Sequence, residues 1–173
     1  MTYPYQQLFQ KLTTWLADHQ NRQQELIVLI AELTPASSLH GKLAPDADWS
    51  PMTERDPFTF LTYCLRYGDR KNVAYLNALA QRINLEVPPI DHLYGVPTPN
   101  NQSSWFFGYA YRRKSEDIPL LWTFFNAART ESITDDLYQQ VQGIWGMGYT
   151  KITEGLFRML PDQFFPVNGP TKQ

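Results

Sequence analysis

Apolar residues recur at three- and four-residue spacing from Tyr5 to Leu33: Tyr5, Leu8, Phe9, Leu12, Trp15 and Leu16, then Leu26, Ile27, Leu29, Ile30 and Leu33. That period lays them along one face of a helix, and the polar run Asp18-His19-Gln20-Asn21 splits the helix in two. Such stripes form core or a surface for a partner helix. His19 falls on the polar side and is expected in solvent. From Pro35 to Arg55 the chain turns to Pro, Ser, Gly and Asp, with Trp49 alone among polar residues, which reads as a linker or long loop. His40 lies in it without a second metal ligand nearby.

Asp56-Pro57 has the order of a helix cap followed by proline at the first helical position. Phe58, Phe60, Leu61, Cys64 and Leu65 supply its apolar face, which ends at Gly68. Asp69 then caps a second helix, with Val73, Leu76, Leu79, Ala80 and Ile83 on one side and Arg66, Arg70, Lys71 and Arg82 outside. A loop rich in Pro and Asn, residues 88–104, delivers Trp105-Phe106-Phe107-Gly108-Tyr109-Ala110-Tyr111 and the basic triplet Arg112-Arg113-Lys114. Two readings of that segment stand side by side. Its rings either build the core, leaving the triplet as an exposed end, or they stack a flipped or single-stranded base while the cations hold phosphate. Helices over Ile118 to Arg129 and Asp135 to Gln142 follow, the latter capped by Thr134.

The segment Ile144-Trp145-Gly146-Met147-Gly148-Tyr149-Thr150-Lys151 joins the last of these runs to another amphipathic one. Glycines there can take positive φ and admit a second backbone closely. Gly148 would open the following helix, whose first N–H groups lack intrahelical partners and carry the positive end of the dipole, a natural place for a phosphate oxygen. On spacing alone the stretch fits equally a C-cap glycine followed by an ordinary linker.

Composition narrows the picture. The chain has 173 residues, the length of one domain with or without a small extension, and 43% apolar residues, enough for a real core. A formal charge of −2 argues against a general polyanion binder, so any contact with nucleic acid is local. The single cysteine, Cys64, rules out an internal disulfide and fits a reducing compartment; embedded in an apolar stripe, it reads as packing. No apolar run is long enough to span a membrane and no leader opens the chain, so a cytoplasmic location is expected.

The glycine spacing at 146 and 148 resembles the helix-hairpin-helix motif, whose amides grip one DNA strand through its phosphates. Phe164-Phe165-Pro166-Val167-Asn168 resembles the F-P-V-D found after a similar gap in base-excision glycosylases of that superfamily. There the aspartate is catalytic, and lyase members carry a lysine nucleophile two residues after the second glycine. Here those places hold Asn168 and Thr150, which can supply neither a carboxylate nor a Schiff base. The resemblance implies the grip without the chemistry.

Longer stretches are similar to the region N-terminal to the AAA+ GTPase motor in McrB-like subunits of modification-dependent restriction systems. They are D-P-F-T-F at 56–60, L-R-Y-G-D-R at 65–70, G-V-P-T-P-N-N-Q-S-S-W-F-F at 95–107, I-P-L-L-W-T-F-F at 118–125, and residues 144–164. In that family the region recognises DNA while motor and nuclease lie elsewhere. The chain has no G-x-x-x-x-G-K-[ST] phosphate loop, so it resembles the specificity region alone.

The expectation is a mainly α protein with little or no sheet: an N-terminal helical extension (1–34), a linker (35–55) and a helix-hairpin-helix domain (56–173). It is expected to bind DNA, including modified cytosine, without a cofactor or metal, alongside the motor and nuclease subunits of a restriction complex. Gly146, Gly148, Tyr149, Thr150 and Lys151 would hold the DNA backbone; Trp105, Tyr109, Tyr111, Arg112, Arg113 and Lys114 would contact a base or adjacent phosphate. One alternative is an interaction module in which the N-terminal helix pairs with another subunit. Another is an active glycosylase, for which Glu154 and Asp162 are the nearest carboxylates in sequence.

Overall fold

The computed structural model describes residues 3–34, 40–99 and 104–167. Pro4 stands at the start of α1 (Pro4–Leu16), where its missing N–H leaves no intrahelical bond unmade. The predicted break follows as a short 3-10 turn at Ala17–His19, and α2 (Gln23–Leu33) carries the second stripe. His19 departs from expectation. It is 4% exposed, with Nδ1 3.0 Å from the carbonyl of Trp15 and its ring 3.8 Å from the indole. The tight turn after α1 swings it back over the preceding helix, which a straight helical wheel does not anticipate.

In the segment read as a linker, β1 (His40–Lys42) and β2 (Trp49–Pro51) pair antiparallel, with Lys42 opposite Trp49. This is the one sheet among the described residues, which otherwise form a mainly helical fold. Asp56 caps α3 (Pro57–Tyr63) by accepting the Thr59 N–H at 2.9 Å. Gly68, rather than Asp69, caps α4 (Asp69–Arg82), and Asp69 becomes an acidic first-turn residue. Helices α5 (Asp117–Arg129), α6 (Asp135–Gln142) and α7 (Tyr149–Met159) complete the order, and Thr134 caps α6 through the Leu137 N–H.

Helix α7 packs against both α1 and α3, while α2 lies on α3 and α4, so the N-terminal helices share a single core with the hairpin region. Thr13 Oγ1 donates to the Met159 carbonyl at 2.7 Å across the α1–α7 contact. Gly155 makes the α7 packing close: a Cβ there would lie 2.8 Å from Phe106 and 3.1 Å from Phe58. Trp122 of α5 is fully buried and its indole N–H donates to the Arg55 carbonyl at 3.1 Å. That bond ties α5 to the segment linking the β-hairpin to α3.

Candidate functional site

The two helices α6 and α7 meet through a five-residue connection after Gly143, with Ile144 buried as its plug and the Met147 N–H donating to the Ile144 carbonyl at 3.0 Å. Gly146 has φ +77°, the left-handed conformation that favours glycine. Gly148 does not: at φ −128°, ψ 162° it is ordinary extended backbone, and its role is to cap α7 without a side chain. A Cβ at either position would meet nothing within 4 Å, so the surface above the turn is open. With no side-chain cap, the amides of Tyr149, Thr150 and Lys151 are the orphan donors of the first helical turn. Tyr149 is exposed beside them and Thr150 is half-buried.

The Lys151 side chain goes elsewhere than expected. Its ammonium turns inward and donates to the carbonyls of Trp105 at 3.0 Å and Gly146 at 2.9 Å. Burial holds its pKa below the usual lysine value, with nearby Asp56 opposing. Two converging carbonyls, one of them partly buried, hold the charge, and Lys151 therefore fastens the turn to the aromatic loop.

The Trp105 to Tyr111 segment divides between core and surface. Phe106 and Phe107 are core; Phe106 stacks on Phe58 at 5.3 Å, and its N–H donates to Thr59 Oγ1 at 2.9 Å. Trp105 and Tyr111 are half-buried and Tyr109 is exposed. The basic triplet diverges because the chain turns at each residue. Arg112 lies 4.8 Å over the Trp145 ring. Arg113 lies over Phe107 and pairs with Glu54 at 2.6 Å, while Lys114 is exposed and its backbone N–H bonds Asp117.

These parts surround a cleft of about 590 Å³. The β-hairpin forms one wall with Trp49, the aromatic loop forms the other with Trp105, Phe107 and Tyr109, and Trp145 from the α6–α7 turn reaches its edge. Gly108 permits that junction, since a Cβ there would sit 3.2 Å from the Trp145 ring. Trp49 is 56% exposed, Trp145 55% and Tyr109 42%, and these three rings share one cleft. Lys42 adds positive charge to the lining, whereas the charge of Arg113 is paired with Glu54. Sequence reading missed the Trp49 wall. The only signal for it was one tryptophan isolated among polar residues, and three-residue strands carry no readable alternation.

Beneath Trp105 lies a buried charge. The Arg55 guanidinium sits 5.0 Å from the Trp105 ring and 5.2 Å from the Tyr63 ring, and none of its side-chain nitrogens has a hydrogen-bond partner among the described residues. Burial pushes its pKa down to about 10, against the pull of adjacent Asp56, whose own pKa burial raises. Both rings hold the guanidinium by cation–π attraction, which strengthens when the cation is desolvated. Arg55 therefore backs the Trp105 wall of the cleft.

The two carboxylates nearest in sequence to a glycosylase-like position are engaged elsewhere. Glu154 pairs with buried Arg158 at 2.8 Å, and Asp162 accepts from the side chains of Gln6 and Gln10 on α1. Asn168 lies outside the described residues.

No curated protein and no solved structure matches the chain. A family described as Domain of unknown function (DUF8425) matches residues 5–173, and the chain belongs to that family.

Proposed function

We propose that the protein is a DNA-binding specificity module, acting without catalysis of its own. The α6–α7 turn grips one strand through the first-turn amides of α7, and the adjoining aromatic cleft receives base. The observation that carries this reading is the place of Trp145. It belongs to the turn and lines the cleft, so a strand held at the amides has its bases next to exposed rings. Phosphate contacts fix position without reading sequence, so any preference for a modified cytosine arises in the cleft. Following the similarity to McrB-like N-terminal regions, the module serves a cytoplasmic restriction complex whose motor and nuclease are other parts.

Fluorescence anisotropy with labelled duplexes, unmodified or carrying 5-methyl- or 5-hydroxymethylcytosine, tests this at two salt concentrations. Binding that weakens with salt is expected, with one modified duplex preferred. Replacing Gly148 by valine covers the open amides and should weaken binding to every duplex alike. A folded Gly148→Val variant with unchanged affinity would sink the assignment of the turn.

A further inference from the structure

The rings at the cleft form a continuous run, and its length exceeds what one base needs. Trp49 meets Tyr109 edge-on at 5.8 Å; Tyr109 stacks on Tyr111 at 5.6 Å with 19° between planes. Arg112 then bridges Tyr111 at 5.6 Å and Trp145 at 4.8 Å, and Lys42 covers the far end over Trp49 at 5.4 Å. A run of three rings, Trp49, Tyr109 and Tyr111, is thus flanked by Lys42 at the β-hairpin and by Arg112, which links it to Trp145 at the α6–α7 turn. A snug pocket around one extruded base encloses it. Here Trp49 and Trp145 are each more than half exposed, and the cleft volume of about 590 Å³ lies within the range that takes a drug-sized ligand. A run of rings flanked by cations along an open groove suits successive unstacked bases and their phosphates.

We infer that the site takes at least two adjacent unstacked nucleotides of one DNA strand, one against Trp145 and the next against the Trp49–Tyr109 pair. This rests on the DNA-binding reading above and specifies its ligand. The cations suit the phosphates of those bases: Arg112 sits between Tyr111 and Trp145, and Lys42 lines the groove beside Trp49. In paired DNA both bases must leave the stack, so the cost of unstacking opposes binding. A segment already unpaired avoids that cost.

The test keeps the phosphate grip constant and varies pairing alone. Anisotropy is measured on one labelled duplex sequence that is fully paired, carries one unpaired nucleotide, or carries two adjacent unpaired nucleotides. Each unpaired nucleotide should raise affinity about five-fold or more, the equivalent of stacking one base on an aromatic side chain. Trp49→Ala, at an exposed ring, should remove most of the gain from the second nucleotide. If the second nucleotide adds nothing, the cleft holds a single base and the inference fails while the DNA-binding reading stands. If no substrate binds in a salt-sensitive way, that reading fails too.

Discussion

Lys151 Nζ lies 3.0 Å from the carbonyl oxygen of Trp105, so the first turn of α7 holds the aromatic loop directly. The same ammonium bonds Gly146, which means that the turn and the Trp105 wall of the cleft share one fastener. Lys151→Met keeps the side-chain stem but leaves two carbonyls without their charged donor. A loss of about 1–3 kcal/mol in urea unfolding is expected. Because the ammonium faces inward, the slope of log affinity against log salt should stay unchanged, whereas losing a phosphate contact would lower it by about 1.

The two turn glycines should respond differently to alanine. Gly146 is at φ +77°, so Gly146→Ala forces a left-handed alanine and costs about 1 kcal/mol. Gly148 is extended with open space around it, so Gly148→Ala is free of strain and clash and should cost only about 0.5 kcal/mol, the disadvantage of alanine at an N-cap. Thermal unfolding of the pair separates the two. Equal losses would mean that Gly148 carries backbone strain.

Gly155 sits mid-helix, where alanine is ordinarily favoured by about 1 kcal/mol. Its added methyl would lie 2.8 Å from a buried Phe106 ring, and overpacking of this kind costs about 1–3 kcal/mol. Gly155→Ala should therefore destabilise on balance, by calorimetry, despite raising helix propensity. A gain in stability would show that Phe106 can move aside.

Cys64 is buried, and burial pushes its thiol up to about 12. The native protein should not react with a thiol reagent at pH 8, and the unfolded chain should react fully. The same shift sets the sign of a pH effect. Above an ordinary thiol value near 9 only the unfolded chain loses this proton, so the Cys64 contribution to stability falls as pH rises from there towards 12. Its slope is at most about 1.4 kcal/mol per pH unit, and Cys64→Ala should remove it.

The helices were legible because each repeats an apolar stripe over several turns and carries its own punctuation. Asp56 and Thr134 cap where their side chains suggest, and the polar run at 18–21 breaks α1 from α2. The α6–α7 turn was legible for the same local reason: Gly146 adopts the left-handed conformation that its position demands. The fate of side chains with a choice of partner was not legible. Lys151 turned inward because two carbonyls happened to converge there, and His19 was buried by a turn that folded it onto Trp15. The Trp105 to Tyr111 rings divided between core and surface according to what lay opposite each.

By itself the sequence determined a mainly helical chain and a turn with an open helix N-terminus after it, since both depend on spacings within a few residues. Only the tertiary structure decided that there is a cleft. Its walls come from residues 40–53, 105–113 and 145, which no local periodicity relates, and they meet because α3, α5 and α7 bury their apolar faces in one core. Trp49 came to line the cleft by where the packed helices left the β-hairpin, a consequence of long-range burial that a lone tryptophan in a polar stretch does not encode.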